Sequence, residues 1–287
     1  MSVENKALRT HLHKGAGLLV PGAANAVTAR LIEELGFAAA YVTGAGVANS
    51  FLGAPDIGLI TLTELAQQVA AMRENVRLPL IVDADTGFGN AVNTARAVKV
   101  LERAGANAIQ LEDQVFPKRC GHFAGKQVIP AAEMAIKVKA ACEARHDADF
   151  IVIARTDALA VNGIDDALER AARYIDAGAD VTFVEAPRTV AEMERITALP
   201  APQLVNLVAG GLTPMLPREE LARMGFAIVL YANAALQAAM QAMKTVLRHL
   251  GTTGALDGVA EMLMDFNERQ AIVGKPRYDA MERRYAL

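Results

Sequence analysis

Four segments of this chain repeat one short pattern. ELGFAAAYV, RAGANAIQL, DAGADVTFV and RMGFAIVL each close an amphipathic stretch on a glycine and then launch an apolar run. The glycine has a physical reason: the residue just after a helix often takes φ > 0, where a β-carbon would clash. Extending the pattern along the chain gives short apolar or β-branched strands at 18–20, 39–42, 80–83, 108–112, 151–154, 181–185, 203–206 and 227–231. Helical periodicity fills the intervals at 27–35, 94–104, 131–144, 165–177, 191–197 and 219–224, and again at 235–250. The strands do not alternate polar with apolar residues, as suits parallel strands buried on both faces.

Eight strands alternating with helices, joined by right-handed crossovers, close most economically into an α/β (β/α)8 TIM barrel. A doubly wound open sheet would call for a glycine-rich dinucleotide turn after the first strand, and VPGAANA matches that turn poorly. The expected division is a catalytic barrel over residues 1–250 and a C-terminal helical extension over 251–287, which caps the barrel or meets another subunit. In that extension GTTG reads as a turn, followed by a helical stretch from about Leu256.

Composition excludes several function classes. Against 32 acidic residues stand 29 basic ones, a net charge of −3, with no basic block for nucleic acid and no charged tail for a membrane surface. The N-terminus MSVENKALRTHLHKG lacks a signal-peptide core, and the internal apolar runs are too short to span a bilayer. Two cysteines make no disulfide framework, so a reducing, cytoplasmic setting is expected.

The barrel also says where chemistry should sit, since catalytic groups in this architecture gather at the C-terminal ends of the strands. The expected strands run from apolar residues into Thr43-Gly44-Ala45-Gly46, Asp83-Ala84-Asp85, Glu112-Asp113, Arg155-Thr156-Asp157, Glu185 and Asn206. Asp83, Asp85 and Glu112 would repel one another unless a cation shared them, and hard oxygen donors favour magnesium, or manganese. The alternative is that these acids cap helices or meet Arg and Lys partners. Zinc is disfavoured, because neither paired histidines nor CxxC is present. Gly87 and Gly89 would let the backbone approach a small ligand. The TGAG segment offers amides and a hydroxyl to a carboxylate or carbonyl oxygen. Arg155 either clamps a substrate carboxylate or pairs with Glu185, and Asn206 either lines the site or bonds a neighbouring loop.

Cys120 lies outside any apolar periodicity, in KRCGHFAGK. Lys118, Arg119 and His122 supply positive charge that would lower the thiol pKa and ready it for proton transfer. Gly121 and Gly125 suit a mobile lid, although an incidental loop cysteine remains the alternative. Cys142 sits in a helical stretch as a core residue, and His11, His13, His146 and His249 take no role.

YVTGAGV, LGAPDIG, VDADTGFGN, QLEDQVFPKRCGH, IARTDA and VEAP, in this order, resemble the isocitrate lyase and phosphoenolpyruvate mutase superfamily, in particular its short lyase-like members. The resemblance implies that Thr43, Gly44 and Ala45 hold the 2-oxo acid end of a small carboxylic acid substrate, with Arg155 on its carboxylate. It implies that Asp83 and Asp85 bind Mg2+, mostly through water, with Asp56 and Glu112 nearby. Cys120 would be the general acid of the lid, with Lys118, Arg119 and His122 around it, and Glu185 and Asn206 would line the pocket floor. It further implies a homotetramer, a dimer of dimers, with a helix after the barrel exchanged between paired subunits. The implied activity is retro-aldol or retro-Claisen cleavage of a 2-hydroxy or 2-oxo di- or tricarboxylic acid. Alternatives are a phosphonomutase acting on a carbon–phosphorus bond, an oxaloacetate-cleaving enzyme, and, last, a barrel that only binds. Two stretches depart from the relatives' patterns, Phe123-Ala124-Gly125 after KRCGH and Tyr231-Ala232-Asn233-Ala234 after the last strand. Both would face the variable part of the substrate.

Overall fold

A computed structural model describes residues 2–119, 121 and 125–286. Eight parallel strands, β1 (Leu18–Ala23), β2 (Ala40–Val42), β3 (Leu80–Asp83), β4 (Ala108–Glu112), β5 (Ile151–Thr156), β6 (Val181–Val184), β7 (Gln203–Asn206) and β8 (Phe226–Tyr231), pair in sequence order into a closed barrel. Closure comes from β8 pairing β1 in parallel, with Leu18 opposite Ile228 and Pro21 opposite Tyr231. The expected α/β barrel is therefore the observed fold.

Around it lie α1 (Val3–Thr10), α2 (Ala26–Glu34), α3 (Gly44–Val47), α4 (Leu62–Arg73), α5 (Ala91–Ala104), α6 (Ala131–Ala144) and α7 (Ala158–Asn162). They are followed by α8 (Ile164–Asp176), α9 (Val190–Thr197), α10 (Arg218–Met224), α11 (Ala234–Thr253), α12 (Phe266–Ile272) and α13 (Lys275–Tyr285). Helix α4 was not among the expected helices. It begins with a capping box in which Thr61 N–H donates to Glu64 Oε2 at 2.8 Å and Glu64 N–H donates to Thr61 Oγ1 at 3.3 Å. The short α1, α3 and α7 were also not anticipated.

GTTG does not turn the chain where expected. Gly251 continues α11, and the helix stops only at Gly254, whose φ of 69° provides the left-handed cap. Beyond it, a single 3-10 turn at Ala260–Met262 and then α12 and α13 replace the helical stretch expected from Leu256. The segment returns to the barrel where Arg30 Nη1 on α2 donates to the Ile272 carbonyl at 2.6 Å. No helix among the described residues is long and apolar enough to cross a membrane.

Side chains alternate along a strand, so residues i and i+2 face the same way. One buried cluster fills the barrel with Leu18, Val20, Tyr41, Ile81, Ile153, Phe183, Leu204 and Leu230. Leu8 of α1 joins it at the N-terminal end, where Asn107 Nδ2 donates to Asn5 Oδ1 at 2.6 Å. Two further clusters pack the outer strand faces against the helices. The alternation has a direct consequence. Two residues beyond inward Tyr41, Ile81, Ile153, Phe183 and Leu204 stand Thr43, Asp83, Arg155, Glu185 and Asn206, all directed to the C-terminal mouth of the barrel.

Asp113 follows Glu112 and so faces outward. It is fully buried, and its carboxylate accepts from Thr156 Oγ1 (2.7 Å), Tyr174 Oη (2.8 Å), Arg170 Nη1 (3.2 Å) and the Asp157 amide (2.9 Å). This acid is a structural hub joining β4, β5 and α8. Asp113→Ala should leave Arg170, Tyr174 and Thr156 without this partner and cost about 3–5 kcal/mol, the range for breaking a buried ion pair. Urea unfolding measures the loss; a change below 1 kcal/mol would show that the hub is dispensable.

Candidate active site

At the C-terminal mouth a cavity of about 240 Å3 is lined by Tyr41, Thr43, Ala45, Asp56, Asp83, Gly121, Arg155, Phe183, Glu185 and Asn206. Val208, Leu230 and Ala232, from β8 and the loops after β7 and β8, add an apolar wall. The strand ends thus bring together most of the residues singled out from the sequence. Cys120 and His122 lie outside the described residues, as do Phe123 and Ala124.

The stems of the loop after β4 pair with each other. Gln114 bridges Val128 in antiparallel fashion, the Val115 amide donates to the Gln127 carbonyl at 2.9 Å, and the Ile129 amide to the Asp113 carbonyl at 2.8 Å. This pairing carries Lys118 over the mouth, where its buried Nζ lies 2.5 Å from Asp56 Oδ1 and 2.8 Å from Asp85 Oδ1. Burial alone would weaken the ammonium, but Asp85, Glu112, Asp83 and Asp56 outweigh it and hold Lys118 firmly charged. Arg119, by contrast, is exposed, its backbone held by Gln114 through bonds of 2.8 and 2.9 Å.

The four acids expected around a metal all lie at this end. Burial pushes the Asp85 carboxyl up to about 6, with Asp83 and Asp56 adding to the effect and Lys118 opposing it. Asp85 is also held at φ 48°, a left-handed conformation uncommon for a residue with a β-carbon. Glu112 is raised further by burial, which Arg155 and Lys118 offset only in part, and its Oε1 accepts no hydrogen bond from the described residues. Among the described residues no three metal-binding side chains already converge as a cage. Even so, buried, charge-strained oxygen donors beside a lone ammonium are a donor set that fits a hard divalent cation.

Arg155 is held among three carboxylates, so the expected pairing with Glu185 is present as one of several ion pairs. Nε and Nη2 form a fork on Asp157 at 3.0 and 3.1 Å, Nη1 lies 3.1 Å from Glu112 Oε2, and Nε is 3.7 Å from Glu185 Oε2. Phe183 lies beneath the guanidinium at 5.4 Å. Burial works against the charge of Arg155, but Asp157, Glu112 and Glu185 outweigh it.

The TGAG segment is partly spent on structure. Thr43 Oγ1 accepts from the Gly46 amide at 3.2 Å and caps α3, while the Gly44 amide donates to Asp83 Oδ2 at 3.3 Å. Asn206 lines the cavity, and its buried Oδ1 accepts no hydrogen bond from the described residues. At Gly87 and Gly89 a β-carbon would meet Thr94 and Asn93 at 2.4 and 2.5 Å, so these glycines allow the backbone to approach α5 closely. Cys142 is half-buried against the core, as expected, and its Sγ donates to the Gly178 carbonyl at 3.2 Å.

Sequence reasoning gave no role to Lys126, placed Asp157 only among the polar residues at a strand end, and read Gly121 only as lid flexibility. For Asp157 a signal existed, since it stands beside Arg155 at the polar end of the fifth strand. The contacts of Lys126 and Gly121 become visible only through the fold.

The phosphoenolpyruvate phosphomutase family profile matches residues 8–250. This chain belongs to that family. Its relatives include 2,3-dimethylmalate lyase of Eubacterium barkeri, 44% identical over 270 residues that cover 94% of this chain and 93% of that one. The 2-methylisocitrate lyase of Aeropyrum pernix is 41% identical, covering 95% of this chain and 88% of the relative. Among solved structures, phosphonopyruvate hydrolase in complex with oxalate and Mg2+ superposes with a TM-score of 0.88 at 32% identity, covering the whole of both chains. Within the phosphomutase family, and the wider isocitrate lyase superfamily, the chain is a carbon–carbon lyase.

The electrostatics at the mouth can be tested without substrate. Asp85 has a folded pKa above its ordinary 3.8, so its contribution to stability is full below about pH 4 and is lost as pH rises through about 6. The metal-free protein should therefore show a urea midpoint that falls over this interval, and Asp85→Asn should flatten the fall. An Asp85→Asn profile parallel to the wild type would refute the assignment.

Proposed function

We propose that this lyase cleaves a 2-hydroxy di- or tricarboxylate of the 2,3-dimethylmalate or 2-methylisocitrate kind, releasing pyruvate or a similar 2-oxo acid. The observation that carries the proposal is the gathering, at one barrel mouth, of the acid set Asp56, Asp83, Asp85 and Glu112 with the guanidinium of Arg155, which pairs with Glu112 and is forked on Asp157. Asp83 and Asp85 would hold Mg2+, or Mn2+, with Asp56 and Glu112 beside them. When bound, such an ion polarises substrate oxygens and offsets the charge of the acids.

In this mechanism Arg155 presents its remaining N–H groups to the carboxylate of the 2-oxo acid fragment, and Thr43, Gly44 and Ala45 line the face beside it. The proton on the 2-hydroxyl passes to a pocket carboxylate as the adjacent carbon–carbon bond breaks. Its electron pair stays on the departing enolate-like fragment. Glu185 and Asn206 border that fragment, while Val208, Leu230 and Ala232 offer its alkyl substituents an apolar wall. Cys120, flanked in sequence by Lys118, Arg119 and His122, delivers the proton that quenches the carbanion. A thiol acid needs a reducing compartment, consistent with the cytoplasm.

Helix α11 supports a homotetramer. None of its residues is buried, and Met240, Met243, Leu247 and Leu250 form an exposed stripe at helical spacing. A second copy of the chain would cover it.

Two outcomes are expected. With a panel of 2,3-dimethylmalate, 2-methylisocitrate, oxaloacetate and phosphonopyruvate followed by NMR, a branched 2-hydroxy acid should be cleaved. Chelation should abolish that activity and Mg2+ restore it, and Cys120→Ser should lower turnover about 10²–10⁴-fold with little change in KM. Full turnover in Cys120→Ser, or in excess chelator, would contradict the mechanism; cleavage of phosphonopyruvate alone would assign carbon–phosphorus chemistry instead. Separately, Leu247→Asp should reduce the particle mass by light scattering from that of four chains, and an unchanged mass would remove α11 from the interface.

A further inference from the structure

Lys126 has no task in the chemistry above, yet its side chain is only 2% exposed. It enters on the returning stem of the loop after β4, just before the bridge from Val128 to Gln114. Its Nζ donates to Asp157 Oδ1 at 2.7 Å and to the Gly121 carbonyl. Asp157 in turn holds Arg155, accepting from Nη2 on Oδ1 and from Nε on Oδ2 at 3.1 and 3.0 Å. From behind, the Asp157 amide is fixed on Asp113 Oδ1 at 2.9 Å. Burial would raise the Asp157 carboxyl, but Arg155 and Lys126 outweigh it and keep it ionised.

Gly121 lies against the same guanidinium. A β-carbon at this position would stand 2.4 Å from Arg155 Nη2 and 2.5 Å from Glu185 Oε1. Those atoms cannot swing aside freely, because Asp157 and Glu112 grip Arg155. With Nε and one Nη2 hydrogen spent on Asp157, the donors left for a ligand are on the far edge, at Nη1 and Nη2. A planar carboxylate meets that edge only if the guanidinium plane is set correctly.

We propose that Lys126 is a positioning residue: it holds the Gly121 backbone over Arg155 and, by sharing Asp157 with that arginine, sets the plane in which the guanidinium meets a carboxylate. This deepens the reading of Arg155 as the carboxylate clamp and, for its second half, rests on it. Removing the ammonium should release Gly121 and leave Asp157 to Arg155 alone. Both changes lower the fraction of molecules competent to bind, and apparent affinity falls by that fraction.

The experiment compares wild type, Lys126→Met and Lys126→Arg as full-length protein. Oxalate affinity is measured by calorimetry with Mg2+ present, loop accessibility as the rate of cutting after Arg119 by an arginine-specific protease, and global stability by thermal melting. Lys126→Met should weaken oxalate binding about tenfold or more and speed cutting after Arg119 severalfold. Lys126→Arg, which keeps a cation for Asp157, should restore both to within about threefold. Wild-type affinity and cutting rate in Lys126→Met, or a fall in melting temperature with neither altered, would overturn the proposal. If Lys126→Met does not fold, Lys126→Gln replaces it, keeping hydrogen-bonding capacity without charge. Should the wild type itself not bind oxalate, the clamp reading fails, and the cutting rates still decide whether Lys126 holds Gly121.

Discussion

The concentration of carboxylates at the barrel mouth is the constraint to which the rest of the site answers. Asp56, Asp83, Asp85, Glu112, Asp157 and Glu185 are gathered there against Lys118, Lys126 and Arg155. Burying ionised groups away from water is costly unless each finds a partner. The cations divide the task. Arg155 and Lys126 neutralise the side formed by β5 and β6, whereas among the described residues Lys118 is the cation paired with Asp56 and Asp85. Burial raises the pKa of Asp85 and Glu112, which their cations offset only in part, while Asp157, held by two cations, stays low. The imbalance is thus local, on the side where a divalent ion would relieve it.

The barrel makes this concentration tolerable. Apart from Gln110 on β4, the inward residues before the strand ends are apolar, so the polar layer rests on a packed interior of Tyr41, Ile81, Ile153, Phe183 and Leu204. The contact between layers is itself hydrogen-bonded: Tyr41 Oη donates to Gln110 Oε1 at 2.7 Å, and Gln110 Nε2 donates to Asp83 Oδ1 at 3.3 Å. On the outer face Asp113 performs the reverse service, tying the strands beneath Arg155 to α8. Neighbouring acids in sequence, Glu112 and Asp113, have opposite duties because a strand turns successive side chains to opposite faces.

That alternation explains what the sequence made legible and what it hid. The strands from 80–83 and 108–112 match the observed β3 and β4, and the expected helix at 131–144 is α6, because apolar runs and glycine stops report local geometry directly. Helix α4 escaped although Thr61 and Glu64 carry a capping signature and Leu65, Val69 and Met72 mark a buried face. Its alanines and glutamines dilute the apolar stripe. Gly251 misled in the opposite direction, since a glycine inside a helix is tolerated when the flanking turns are sound. In the site, residues on strand ends were readable because strand and mouth coincide. Lys126 and Gly121 were not, because their partners Asp157 and Arg155 are reached only through the folded loop. Likewise Gly87 and Gly89 carry a permissive backbone, but sequence does not say what the backbone approaches.

Relatives of this chain act on different acids, and one superposed structure is a phosphonopyruvate hydrolase. A common fold does not fix the reaction, so the difference must lie in the side chains around a shared centre. On the proposed reading, the acid set and Arg155 would address features that such substrates have in common: a carboxylate, an adjacent oxygen and negative charge that grows as a bond breaks. Apart from Asp56, in the loop before α4, those groups sit at or just beyond strand ends. Opposite them, Val208, Leu230 and Ala232 come from β8 and the loops after β7 and β8, and they contribute only apolar surface. An apolar wall there would suit the methyl branches that 2,3-dimethylmalate and 2-methylisocitrate share, whereas a carboxylate pressed against Val208 and Leu230 would lose its water without gaining a cation. On the proposed reading, selection among substrates would fall to the wall least burdened with charge, where a change of side chain would alter fit without disturbing the balance that holds the mouth together.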